Sequence, residues 1–205
     1  MILHQMTAQE LRQAYETDLT EAFPSSELKP LSAMEDLCAK GLYDPLCFLD
    51  ASSGEVLGYA LLWRHRDGRY ILLDYLCVPM RRRNQGIGAR ILSQLRLKYP
   101  SDTVFLWESE APGTDAQENE LILRRLNFYQ RCGAKVLGYD CALFGVHFKN
   151  LCLASPVPQE SELLRKHQEI YRAQFSPARY AAYIQIPLHP GEKPFAVTDW
   201  TEDET

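Results

Sequence analysis

Close cysteine pairs are what this sequence most plainly lacks. Its six cysteines, Cys38, Cys47, Cys77, Cys132, Cys141 and Cys152, are scattered without a single Cys-x-x-Cys spacing. Zinc ribbons and thioredoxin-like redox motifs need that spacing, so both are disfavoured. The five histidines show no metal-ligand spacing either. Long apolar runs are missing: nothing approaches the roughly 20 residues that a bilayer span requires. Residues 1–6 lack the charged and apolar regions of a secretory signal. There is no basic excess, since 22 Lys and Arg stand against 27 Asp and Glu for a net charge of −5. That balance argues against nucleic acid or an anionic membrane as partner. It suits a cationic partner, although it is also a common solubility charge. No repeat, low-complexity tract or Gly/Ser linker divides the chain. What remains is an ordinary globular composition, 205 residues with 46% apolar and 11% aromatic side chains. A chain of this size buries roughly 70% of its unfolded surface without needing a disulfide or metal. The expectation is a reduced, cytoplasmic, metal-free protein.

Periodicity and turn signals predict the element order β-α-α-β-β-β-α-β-α-β-β-α. Residues 2–6 read as a short strand. Thr7, with Glu10 three residues on, makes a capping box for a helix carrying Leu11, Tyr15 and Leu19, which stops before Pro24. A second helix is predicted over 32–40, ended by Gly41. Residues 46–49 and 56–63 read as a hairpin through Ser52-Ser53-Gly54. The run 70–78 reads as a central strand, apolar on both faces except for Asp74. A helix with Ile87, Ile91, Leu92 and Leu95 on one face follows, then a strand over 103–108. Asp115 and Glu118 open a helix that aligns Ile122, Leu126 and Tyr129 and stops at Gly133. Strands near 134–139 and 148–154, a helix over 161–175 and a short one within 177–186 complete the chain. Tight turns imply antiparallel pairing of the first strands, and the strand–helix–strand units imply parallel or mixed pairing later. The fold class is α/β, with one mixed central β-sheet flanked by helices.

The segment Val78-Pro79-Met80-Arg81-Arg82-Arg83-Asn84-Gln85-Gly86-Ile87-Gly88-Ala89 is the most informative. It joins a buried strand to an amphipathic helix, with its glycines at the helix start. Glycine lets a ligand approach the backbone, and the first helical turn offers unpaired N–H groups at the positive end of the dipole. That combination suits phosphate, and Arg81–Arg83 add positive charge. A dinucleotide fingerprint fails because Ile91 stands where its third glycine belongs, and a Walker A loop fails because Ala89-Arg90 follows Gly88.

The stretch Arg83-x-x-Gly86-x-Gly88, five residues beyond Val78, resembles the acyl-CoA pyrophosphate motif of the GNAT superfamily of N-acetyltransferases. Asn127-Phe128-Tyr129-Gln130-Arg131-Cys132-Gly133-Ala134 is similar to that family's Phe-Tyr-x-x-x-Gly-Phe segment, with Ala134 replacing the usual aromatic. The resemblance covers the chain up to Ala154. It implies a GNAT-like core over 1–154 and a C-terminal helical extension over 155–205 packed on the same domain. It also implies that the backbone of Arg83, Asn84, Gln85, Gly86, Ile87, Gly88 and Ala89 cradles the pyrophosphate of acetyl-CoA. Leu76, Cys77 and Val78 would pair with its pantetheine arm. Tyr129 matches the tyrosine that often protonates the departing thiolate.

An attacking amine must be neutral, so a carboxylate or water chain should take its proton. Glu108 is the first candidate, since family members often use a glutamate at that strand end. Glu110 shares its strand face by alternation. Asp74 follows, an acid in an apolar strand that needs a partner or a task. Cys77 reads as core, and His147 and the other histidines show no partner in the sequence. The resemblance thus implies an N-acetyltransferase that takes acetyl-CoA as co-substrate and a small-molecule or peptide amine as acceptor. The transfer would proceed directly in a ternary complex, without metal, nucleic acid or membrane; a homodimer is one form the assembly could take. The rival is a catalytically silent acyl-CoA-binding module serving as a sensor or interaction domain. A third reading, RNA binding through Arg81–Arg83, needs a wider basic surface with aromatics than this sequence shows.

Overall fold

The computed structural model describes residues 1–200, and the contacts within them divide the chain into two units. The mixed α/β class expected from the sequence is the one observed.

The first unit holds residues 1–68, 73–101 and 199–200. Strand β1 (Ile2–Gln5) pairs antiparallel with β2 (Tyr43–Leu49), which pairs antiparallel with β3 (Val56–Arg64) in the predicted hairpin; β4 (Tyr70–Cys77) lies next to β3. Leu46, Phe48 and Ala60–Leu62 are inaccessible to solvent, so this hairpin forms the core of the unit. The capping box at Thr7 is present. The Thr7 side chain accepts from the Glu10 N–H, and the Glu10 carboxylate accepts from the Thr7 N–H at 2.7 Å. Helix α1 (Ala8–Ala14) then widens into a π turn (Tyr15–Leu19) before the short α2 (Thr20–Ala22). That turn carries a buried acid, Asp18, which accepts from Tyr59 Oη at 2.7 Å and pairs with Arg81 at 3.3 Å. Helix α3 (Leu31–Ala39) follows Pro30. Helix α4 (Ile87–Lys98) buries Ile87, Ile91, Leu92 and Leu95, the face that periodicity predicts.

The second unit holds residues 69–72 and 102–198. Here the first residues of β4 pair parallel with β5 (Val104–Glu110), Tyr70 lying opposite Val104. Strand β5 pairs antiparallel with β7 (Val146–Leu153), β7 with β6 (Lys135–Leu143), and β6 with β8 (Ile184–Leu188). Helix α5 (Ala116–Arg131) starts at Asp115, whose carboxylate accepts from the N–H groups of Gln117 and Glu118 at 2.8 and 2.9 Å. The register of β6 on β7 shifts between Val136 and Asp140. Within that irregularity the Gly138 N–H donates to Glu160 at the start of helix α6 (Glu160–Arg172), at 2.8 Å. A side chain at Gly138 would press on the same carboxylate.

The tail differs from the expectation in one respect. The predicted short helix within 177–186 ends at Tyr183 as α7 (Pro177–Tyr183), and the chain continues as edge strand β8. Ile184, Gln185, Ile186 and Leu188 are all buried in it, and an edge tolerates Pro187, which has no N–H to give a ladder. Among the described residues no helix is long and apolar enough to cross a membrane.

Candidate functional site

In the first unit, Leu76 and Cys77 end β4 and Val78 opens the glycine-bearing loop. The loop turns back on itself: Arg83 Nε donates to the Val78 carbonyl at 3.1 Å, and Gln85 reaches the Arg81 carbonyl at 3.4 Å. Asn84 and Gly86 both take positive φ, at 64° and 71°. A side chain on Gly86 would meet nothing within 4 Å, so packing does not demand glycine there. The left-handed backbone does, and it leaves open the approach to the amides that start α4. Gly86 caps that helix and its carbonyl takes the first helical bond, from Arg90 at 3.2 Å. The amides of Ile87, Gly88 and Ala89 thus belong to the first turn, which has no intrahelical acceptor for them. The three arginines have separate lives. Arg81 pairs with Asp18 and Arg82 with Glu55, whereas Arg83 has no carboxylate partner among the described residues. Burial, with Asp18 adding to it, pushes the Cys77 thiol up to about 12, so it is a neutral core group and no nucleophile at neutral pH.

Asp74, on the part of β4 in this unit, meets Lys29. The ammonium donates to its Oδ2 at 2.9 Å, Tyr43 Oη donates to the same oxygen at 2.5 Å, and the Trp63 ring lies 4.1 Å from Lys29 Nζ. The loop that delivers Lys29 also lines a cavity of about 390 Å³ with Tyr15, Phe23, Ser25, Leu28, Asp199 and Trp200 among its walls. Ser25 Oγ donates to Asp199 at 2.7 Å, and the Trp200 N–H to the Ser25 carbonyl at 3.3 Å, so the tail closes one wall. Aromatic faces beside a carboxylate suit an organic cation.

In the second unit β5 persists to Glu110, which keeps Glu108 and Glu110 on one face by alternation. Their surroundings differ. Glu110 forms a half-exposed ion pair with Arg125 at 2.8 Å. Glu108 lies part-buried under α6: its Oε1 accepts from His167 Nε2 at 2.7 Å and from Tyr171 Oη at 2.9 Å. Behind the imidazole, Tyr139 Oη lies 3.3 Å from His167 Nδ1. Cys141 Sγ belongs to the same cluster, its ligand atom lying with those of Glu108 and His167 within 4.8 Å of one another. The hydrogen bonds describe a proton network there rather than a metal cage. The His167 nitrogen and the Glu108 oxygen bond each other, and the thiol donates to Asn150 Oδ1 at 3.1 Å.

Tyr129 stands on the other face of β5. Its ring packs on Trp107 and on Phe128, each at 5.1 Å between centroids, and Trp107 alternates with Glu108. Burial pushes its phenol up to about 12, tempered by Arg125. The structure therefore sets Glu108 among α6 side chains and Tyr129 among aromatics, on opposite sides of one strand. His167, Tyr171 and Tyr139 escape sequence reasoning. His167 has its carboxylate partner 59 positions away, and the one local signal is that it shares the buried face of α6 with Leu163, Ile170 and Tyr171.

Residues 8–134 match the family model described as the acetyltransferase (GNAT) family. No curated protein matches the chain. Among solved structures it resembles a GNAT-family protein from Bacteroides thetaiotaomicron, with 18% identity, a TM-score of 0.68, and 85% of this chain and 98% of that one covered. It resembles an aminoglycoside 6'-N-acetyltransferase complexed with coenzyme A at 15% identity and TM-score 0.53, covering 78% and 99%. A spermidine N-acetyltransferase chimera of Vibrio cholerae SpeG and hSSAT aligns at 14% and 0.55, covering 80% and 99%.

Proposed function

The chain belongs to the GNAT acetyltransferase family, and from that premise we propose that it transfers an acetyl group from acetyl-CoA to a primary amine of a small molecule or peptide. The observation that carries this reading is the loop from Arg83 to Ala89. Its positive-φ glycine opens the way to first-turn amides, and the Arg83 guanidinium, with no carboxylate partner among the described residues, adds charge beside them. These are the donors that a pyrophosphate needs. The core would span 1–154 and the extension 155–205. The setting would be the cytoplasm, where six unpaired thiols are at home.

Acetyl-CoA supplies the thioester. Arg83 and the amides of Gly86, Ile87, Gly88 and Ala89 would hold its pyrophosphate, and the backbone of Leu76 to Val78 its pantetheine arm. Glu108 would take one proton from the ammonium form of the acceptor, freeing the nitrogen lone pair to form the C–N bond as the C–S bond breaks. The thiolate would take the proton of Tyr129, which burial keeps on the oxygen at neutral pH. The phenolate would recover it from the proton that the new amide nitrogen sheds. Holding both substrates together supplies much of the rate.

Two observations support a cationic acceptor. The structural neighbours named for spermidine and aminoglycosides act on polycations, and the cavity in the first unit carries a carboxylate among aromatic rings. The test is acetyl-CoA consumption over a panel of polyamines, aminoglycosides, amino acids and peptide N-termini. Turnover on at least one member is expected. Tight binding of CoA with no turnover on any of them would sink the enzyme reading in favour of a silent acyl-CoA-binding module.

A further inference from the structure

We propose that His167 is a positioning residue that holds the Glu108 carboxylate as a one-sided proton acceptor, a role that rests on the reading of Glu108 as the base. His167 and Tyr171 lie one helical turn apart on α6, so both reach the same point of the sheet. Both donate to Oε1, while Oε2 has no hydrogen-bond partner among the described residues. Oε1 is thus saturated by two donors, and Oε2 is left open to accept a proton.

The imidazole is itself constrained. To donate to an ionised carboxylate, Nε2 must carry the hydrogen. In that tautomer Nδ1 is the acceptor, and the Tyr139 hydroxyl 3.3 Å away is the donor it faces. The groups facing His167 are Glu108 from β5, Tyr139 and Cys141 from β6 and Tyr171 from its own helix, with Asn150 of β7 taking the Cys141 thiol. Glu108 is the only carboxylate among them. When the ammonium proton moves to Oε2, the N–H bond of the substrate breaks and an O–H bond forms. His167 keeps Oε1 fixed and the carboxylate turned.

The experiment combines ¹⁵N NMR of the imidazole in the full chain with three variants, H167Q, H167A and Y139F. Hydrogen on Nε2 is expected in wild type. A ring carrying hydrogen on Nδ1 alone overturns the proposal. With acetyl-CoA and spermidine, or the amine that the panel turns over best, H167A should lose kcat on the order of 10²-fold. KM for acetyl-CoA should stay within about twofold, because binding does not use the dyad. H167Q keeps an amide donor near the Nε2 position and should recover most of the loss. Y139F should lower kcat less, with a mixture of ring tautomers in the spectrum. Wild-type kcat in a folded H167A, or no rescue by a folded H167Q, overturns the role. Wild-type silence toward every amine strikes the transferase reading instead, and the NMR form of the ring then decides the hydrogen-bond assignment on its own.

Discussion

Lys29 Nζ donates to Asp74 Oδ2 at 2.9 Å where neither side chain meets solvent, the lysine being 0% and the aspartate 6% exposed. This pair explains how an acid sits in a strand that is otherwise apolar, and it ties the loop before α3 to β4. Breaking a buried pair leaves an uncompensated charge, so K29M should destabilise the protein by about 3–5 kcal/mol. The double variant K29M/D74L removes both charges and should recover much of that loss. Chemical denaturation checks both; a loss below about 1 kcal/mol in K29M would mean that the charge is solvated after all.

The two glutamates on one face of β5 separate by their partners. Glu108 is enclosed by His167 and Tyr171, while Glu110 shares a half-exposed pair with Arg125. E108Q should lower turnover on the order of 10²-fold or more, since it removes a proton acceptor. E110Q should leave turnover near wild type and stability within about 1 kcal/mol, as an exposed pair contributes little. Steady-state acetyl-CoA consumption with thermal melts separates them. A larger loss of turnover in E110Q than in E108Q would move the base to the strand end.

Tyr129 carries a pH signature that can be read without any acceptor. Its phenol rises from 10 in the unfolded chain to about 12 when buried. The buried neutral form therefore adds stability that is complete below pH 10 and declines as pH climbs toward 12. Y129F has no proton to lose and should flatten that part of the decline in alkaline denaturation followed by circular dichroism. The same variant should lower turnover far more than acetyl-CoA affinity. Unchanged turnover would end its role as the acid while leaving the stability effect intact.

What could be read ahead of the fold was whatever depends on neighbours in sequence. The capping box at Thr7, the buried stripe of α4, the stripe Ile122-Leu126-Tyr129 of α5 and the glycine turn at Gly86 are all set within a few residues. Asp74 was legible as an anomaly, a charge in an apolar run, but its partner Lys29 lies 45 positions back across a proline-flanked loop. His167 was invisible for the same reason. Polar residues on a buried helix face declare only that something must satisfy them, and the partner is chosen by how α6 docks. That docking rests on a bulge at Gly138, on Glu160 capping its freed amide, and on Glu162 accepting from Tyr70. The strand β8 was missed because α7 ends only four residues before Pro187, which reads as a loop signal.

The triple arginine offers a contrast that sequence composition hides. Arg82 spends its charge on Glu55 and Arg81 on Asp18, and of the three Arg83 has no carboxylate partner among the described residues. If the loop holds a pyrophosphate, reversing the charge at Arg83 should cost much more than reversing it at Arg82. A charge-assisted hydrogen bond contributes about 1.5–3 kcal/mol, and each 1.4 kcal/mol is about tenfold in affinity, so R83E should weaken CoA binding by about 10- to 100-fold in calorimetry. R82E trades one exposed pair for repulsion with Glu55 and should change affinity by less than about threefold. Raising the salt concentration should shrink both differences, because the loop is open to solvent. Equal losses in the two variants would show that the loop acts only through its general positive field, and undiminished affinity in R83E would remove the anion site from this turn.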